Sequence, residues 1–144
     1  MLTDEERRRG AADLTRAEIE RVAIPQLSRT FPHIEIADAY AIQRLWAEGR
    51  MAKGARQIGH KIGLTSRAMQ MASKMTEPDY GHLLDDMPHN DGAQIRADRF
   101  LAPRLEVELA FVMGENLKGS GTRIYDVMRA TEFVVPARLD PRRR

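Results

Sequence analysis

The chain has 144 residues, 42% hydrophobic and 31% charged, with a net charge of +2 and no cysteine. That composition suits one globular domain with a core of its own; it excludes a disulfide framework and a thiolate metal site, and no apolar run reaches the roughly 18 residues that span a bilayer. The pI of 9.2 has a local source: residues 138 to 144 carry four arginines and one aspartate, +3, leaving −1 on the other 137 residues. This tail lacks interleaved aromatics and a basic face behind it, so no nucleic-acid partner is expected. The first nine residues are too charged for a signal peptide, and a cytoplasmic protein with no membrane contact is expected.

Taken in order, Thr3 with Glu6 and Thr15 with Glu18 have the spacing of capping boxes, which predicts helix from about Thr3 to Leu27 with a break near Leu14, strained at its end by Pro25. This piece reads as scaffolding or an oligomer contact. A turn over Thr30 to His33, with His33 in solvent, leads to Ile36, Ala39, Tyr40, Ile42, Leu45 and Trp46, a helical repeat that extends to about Lys53. Tyr40 and Trp46 fall on its apolar stripe and are core or interface anchors rather than ligand-stacking groups.

After Gly54 the texture changes to a strand entering a tight turn, Gly59-His-Lys-Ile-Gly-Leu-Thr-Ser66. Glycines within a strand mark close approach by another backbone or a ligand, so Lys61 between Gly59 and Gly63 can meet an anionic substrate; an edge-strand lysine in water is the alternative. His60 points to the other face. Thr65 or Ser66 caps a short helix to Met75 whose three methionines fill core. Glu77-Pro-Asp-Tyr-Gly81 is a turn in which Asp79 either fixes the backbone or serves as a site carboxylate. Asp91-Gly92 is a hairpin signal, and Ile95 to Leu101 carries the chain toward the next strand.

That strand, Pro103 to Met113, places Leu105, Val107, Leu109, Phe111 and Met113 on one face, an expected core face. The other face carries Arg104, Glu106, Glu108, Ala110 and Val112. Two adjacent carboxylates repel unless a cation lies between them, and hard divalent cations prefer carboxylate oxygen. The pattern alone leaves a second reading open, two solvated glutamates on an amphipathic strand. A loop over residues 114 to 121, a short helix Ile124 to Ala130 and a buried strand Glu132 to Ala137 complete the reading.

Together, Gly-His-Lys-Ile-Gly-Leu-Thr-Ser (59 to 66), Glu-Pro-Asp-Tyr-Gly (77 to 81), Leu-Leu-Asp-Asp-Met (83 to 87), Pro-Arg-Leu-Glu-Val-Glu-Leu-Ala-Phe-Val (103 to 112) and Phe-Val-Val-Pro-Ala (133 to 137) resemble the 2-keto-4-pentenoate hydratase family of the fumarylacetoacetate hydrolase superfamily. The resemblance implies an α+β fold: a helical region over residues 1–54, the first part of a mixed β-barrel-like core over 55–137, and a basic tail over 138–144 outside the family pattern. It implies a homo-oligomeric Mg²⁺ or Mn²⁺ enzyme that adds water to a 2-oxo-alkenoate such as 2-oxo-hept-4-ene-1,7-dioate. Glu106 and Glu108 match metal carboxylates, Lys61 an active-site lysine and Asp79 a site aspartate.

The pattern departs from the family after Ala137, where a leucine, a third metal glutamate and nearly as much chain again would follow. The arginine-rich ending suggests a shifted frame or a truncated product, with Asp140 as a displaced substitute for the missing carboxylate. The alternatives are a non-catalytic assembly fragment, or a related vinylpyruvate hydratase or oxalocrotonate decarboxylase.

Overall fold

A computed structural model describes residues 1–101, 103 and 105–139. Asp140 and the arginines after it, and Arg104, lie outside the described residues. The chain divides into two compact units, Met1–Arg96 and Ala97–Arg144.

The first unit begins with α1 (Asp4–Glu20), capped as the sequence predicts: the Thr3 hydroxyl accepts from the Glu6 N–H at 3.2 Å and the Glu6 carboxylate from the Thr3 N–H at 2.8 Å. The second box is not a cap. Thr15 lies inside a continuous helix and its hydroxyl donates to the Ala11 carbonyl at 2.9 Å, so there is no break at Leu14. Arg21, at φ 55, ends the helix in a left-handed residue well before Leu27. Leu27–Thr30 instead form a one-turn helix, α2, which delivers Phe31 to the core.

The third helix, α3 (Ile36–Met51), packs on α1 through Leu2, Ala11, Phe31 and Ile42, flanked by Leu14, Leu27, Ile34, Leu45 and Trp46. The helices approach closely at Gly10, where a Cβ would stand 2.9 Å from Ile42 Cδ1. One carboxylate ties this core together. Asp38 is fully buried and accepts from the backbone N–H groups of Leu2 and Glu35 and from Nε and Nη2 of Arg7, at 2.8 to 3.1 Å. Burial alone would raise its pKa, but these hydrogen bonds hold the carboxyl below the usual range. At the far end of α3, Arg50 bridges Glu18 of α1 and Asp86 and lies 5.7 Å over the Trp46 ring, while the indole N–H donates to Glu18 at 3.1 Å.

Two antiparallel strands, β1 (Gln57–Gly63) and β2 (Asp79–Leu84), flank the short helix α4 (Arg67–Ser73) in the chain. Ser66 caps α4, its hydroxyl accepting from Met69 N–H at 3.2 Å. The helix is shorter than expected, and Met69 and Met71 are exposed rather than packed in a core. Tyr80 of β2 stacks on Tyr40 of α3 at 4.5 Å, and Gln43 donates to the Tyr80 carbonyl at 3.0 Å, which secures the hairpin to the helices.

Asp91-Gly92 does form a turn, with Gly92 at φ 76, but residues 93 to 101 form no strand: Ala97–Arg99 is a single 3-10 turn. The second unit is built on β3 (Glu106–Met113), α5 (Ile124–Ala130) and β4 (Thr131–Leu139), with β3 and β4 antiparallel. The apolar face of β3, expected in a core, is exposed, and so are Phe133, Val134 and Val135 of β4. The sheet has only two strands and its unit offers no second layer among the described residues. Mixed helix and strand is thus as expected, whereas the strands form two separate ribbons and close no barrel among the described residues.

Candidate active site

In the first unit, β1 and β2 bring Lys61 and Asp79 to one face. Lys61 pairs with Gly81 and Gly63 with Asp79, so the lysine and the aspartate are diagonal neighbours across the ladder, within reach of a long side chain. Both are half-buried. The glycines between which Lys61 lies are not equivalent. A Cβ on Gly59 would meet only Leu83 Cδ1 at an ordinary 3.9 Å, whereas a Cβ on Gly63 would stand 3.2 Å from Asp79 Cγ and closer still to Oδ1. The close approach expected of these glycines is made by the Asp79 carboxylate itself, which lies across the bare backbone of Gly63. Leu64 then turns the chain through φ 52, and its carbonyl is held by Gln70 at 2.8 Å.

The opposite face of the same hairpin carries His60 directly across from His82. Gln57 links them: its amide nitrogen donates to His60 Nε2 and its oxygen accepts from His82 Nδ1, each at 2.9 Å. Desolvation, with His60 nearby, lowers the His82 pKa and favours the neutral ring. His60 therefore lies away from Lys61, as alternation requires. This bridged histidine pair was not legible in the sequence, because Gln57 and His82 are joined only by the register of the ladder.

In the second unit Glu106 and Glu108 share a face of β3, and both are half-buried while the intervening Val107 is exposed. Across the ladder, Glu106 is the partner of Leu139 and Glu108 the partner of Ala137. Position 139, where the resemblance implies a third carboxylate, thus lies directly opposite Glu106 but holds leucine. Among the described residues no three His, Cys, Asp or Glu side chains gather into a metal cluster. The donor set that remains, two neighbouring carboxylates without nitrogen or sulfur, still fits a Mg²⁺-like ion, which is commonly held by one or two carboxylates with water and substrate oxygens completing the shell.

No family model matches the chain. The 2-oxo-hept-4-ene-1,7-dioate hydratase of Escherichia coli is 51% identical over 127 residues, 88% of this chain and 48% of its own. The TodF product hydratase of Pseudomonas putida F1 is 39% identical over 130 residues, and the 2-keto-4-pentenoate hydratase of Paraburkholderia xenovorans 37% over 136, covering 48% and 51% of their respective lengths. Among solved structures, the 4-oxalocrotonate decarboxylase of Pseudomonas putida G7, complexed with calcium and acetate, superposes with a TM-score of 0.90 at 30% identity, over 99% of this chain and 56% of that one. The same enzyme complexed with magnesium and adipate matches equally well. The chain spans about half the length of the relatives it matches.

Proposed function

We propose, for a chain that belongs to the 2-keto-4-pentenoate hydratases over the half of their length it spans, that it carries the metal- and substrate-binding residues of a hydratase acting on a 2-oxo-alkenoate. The observation that carries this reading is the placement of Glu106 and Glu108 on one half-buried face of β3, in a chain 51% identical to a named hydratase. By that kinship we take 2-oxo-hept-4-ene-1,7-dioate as the substrate and the breakdown of an aromatic compound, homoprotocatechuate, as the setting. The working form is a homo-oligomer.

Glu106 and Glu108 would hold Mg²⁺ or Mn²⁺. The ion, when bound, supplies Lewis acidity toward the carboxylate and C2 oxygen of a 2-oxo acid. Lys61 would hold a substrate carboxylate, as a compact ammonium on a long stem can, or exchange protons with the substrate. Asp79, fixed over Gly63, is the proton acceptor for the water that adds at C4 or for the migrating substrate proton. Its rigid placement matters as much as its basicity, since about 1 Å of misplacement costs roughly 100-fold.

A non-catalytic assembly role is the second reading, favoured by leucine at the position opposite Glu106 and by the uncovered apolar sheet. Calorimetric titration with Mg²⁺, Mn²⁺ paramagnetic resonance and ultraviolet assay of 2-oxo-hept-4-ene-1,7-dioate separate the two. The hydratase reading expects one ion per chain, lost in Glu106→Gln with Glu108→Gln, and turnover that falls with it. A folded chain that binds no ion and leaves the substrate untouched belongs to the second reading.

A further inference from the structure

We propose that His60 and His82 form a two-imidazole site for a divalent transition-metal ion of the Zn²⁺, Ni²⁺ and Cu²⁺ group, on the face of the β1–β2 hairpin opposite Lys61 and Asp79. The two histidines are register partners, and facing Cβ atoms in such a ladder stand ~4.5–5.5 Å apart. Their ring centres are 5.4 Å apart, with the planes tilted by 49°. Two imidazoles that bind one tetrahedral ion through nitrogen at ~2.0–2.1 Å have ring centres roughly 5 Å apart, so the spacing already present is close to that of a chelate. Imidazole nitrogen suits these ions, whereas Mg²⁺ takes oxygen. The site therefore differs in kind from the pair of glutamates on β3.

Gln57 prepares the rings for such an ion. Its carboxamide oxygen accepts from His82 Nδ1 at 2.9 Å, which fixes the proton there and leaves the Nε2 lone pair outside any hydrogen bond among the described residues. Metal-binding histidines are held in this way, the second ring nitrogen donating to an oxygen that orients the ring. The lowered pKa of His82 acts in the same direction, because an ion competes with a proton for that lone pair. The His60 Nε2 lone pair is turned to the Gln57 amide at 2.9 Å, and the ion takes it in exchange for that one neutral hydrogen bond. Tyr80 stands edge-on to both rings, with centroids 6.0 and 6.4 Å away, and is itself stacked on Tyr40 of α3, while Glu48 of α3 adds a negative field at His82. No third His, Cys, Asp or Glu completes the group among the described residues, so water fills the remaining positions and the ion exchanges with solvent. The consequence is mechanical. A bound ion pins His60 to His82 and with them the register that sets Lys61 diagonal to Asp79, since a slip of one residue would carry His60 to the other face.

Calorimetric titration of the 144-residue chain with Zn²⁺ and Ni²⁺, together with the paramagnetic resonance spectrum of bound Cu²⁺, tests the site. One nitrogen-bound ion per chain is expected, tightest for Cu²⁺, with splitting from two imidazole nitrogens and no displacement by excess Mg²⁺. His60→Gln and His82→Gln should each weaken binding by at least ~10-fold, because the ladder supplies the second imidazole at high effective concentration. The paired variant His33→Gln with His89→Gln should keep the nitrogen-bound ion, and so should Glu106→Gln with Glu108→Gln. Saturating Zn²⁺ should raise the urea midpoint of the native chain and leave that of His60→Gln unmoved. His60 is exposed, so its replacement, checked by circular dichroism, decides the matter even where His82→Gln does not fold. Splitting from a single nitrogen, affinity indifferent to His60→Gln, or loss of the ion in the His33 and His89 pair or in the glutamate pair would overturn the proposal. Neither result bears on the hydratase reading, which Mn²⁺ binding at Glu106 and Glu108 tests separately.

Discussion

Replacing Gly63 by alanine tests whether Asp79 is positioned by the bare backbone beneath it. The new Cβ would lie 3.2 Å from Asp79 Cγ and nearer to Oδ1 than the 3.0 Å that real Cβ atoms respect, so the carboxylate must swing away. Driving a side chain about 30° off its rotamer costs about 0.5–1.5 kcal/mol, while alanine in place of glycine inside a strand returns about 0.5–1 kcal/mol. The single substitution is therefore nearly silent, and a cycle is needed to expose the contact. In an Asp79→Ala background the obstruction is gone and Gly63→Ala should stabilise by about 0.5–1 kcal/mol; in the native background it should be neutral or mildly destabilising. Urea unfolding of the four proteins should thus give a coupling of about 1 kcal/mol, against the ~0.3–0.5 kcal/mol within which independent sites add. Additive effects would show that Asp79 does not depend on Gly63 and would remove the argument that its position is built into the strand. In an assembled enzyme the same substitution should lower kcat more than it raises KM.

Three further outcomes follow from the first unit. Gly10→Ala should destabilise by about 1–3 kcal/mol despite the better helix propensity of alanine, because Ile42 is fully buried and has nowhere to yield, and Ile42→Val should recover part of the loss in a urea titration of the double variant. Asp38→Ala leaves Nε and Nη2 of Arg7 and two backbone N–H groups without their acceptor, the guanidinium keeping only the exposed Asp4, and the thermal midpoint of the first unit should fall by more than about 10 °C. Acid should act in two stages. His82, whose folded pKa lies below the ordinary imidazole value near 6.5, contributes stability that is complete above that value and is lost as pH falls through the folded pKa; the urea midpoint should therefore drop between pH 7.5 and 5.5, and the drop should shrink in His82→Gln. The carboxyls of Asp38, Asp85 and Glu6 are likewise lowered, by hydrogen bonds that outweigh burial at Asp38, by the Arg56 backbone and guanidinium at Asp85 and by Thr3 at Glu6, so their contribution is present above pH ~4 and disappears only below it.

The parts of the fold that sequence discloses are those governed by neighbours in the chain. The Thr3–Glu6 box, the stripe from Ile36 to Trp46, the Ser66 cap and the helix Ile124–Ala130 all follow from local spacing and appear as expected. Thr15–Glu18 has the same spacing as a cap, yet Glu18 is recruited by Trp46 and Arg50 of another helix, and the helix runs on through the false signal. Asp38 reads as an ordinary acidic residue of a first helical turn, because its partners Leu2 and Arg7 lie 36 and 31 positions away. The expectation of a buried β3 face was correct about alternation and incorrect about coverage: pleat is a property of the strand, whereas burial depends on a layer that sequence periodicity cannot count. For the site, alternation was enough to place Glu106 with Glu108 and to separate His60 from Lys61; the diagonal pairing of Lys61 with Asp79 depended on the β1–β2 register, which only the assembled ladder reveals.

The clasp of Glu18 and Arg50 around the indole has a practical side. Trp46 is the chain's single tryptophan, and one side group accepts its N–H while a cation lies over its ring. Its fluorescence is consequently a private gauge of the helical unit, sensitive to the moment α1 and α3 part. Melting followed at tryptophan wavelengths will report that event, whereas the second unit holds no tryptophan and its one tyrosine, Tyr125, lies on α5. A tryptophan melt of the unlabelled chain therefore times the parting of α1 and α3 directly.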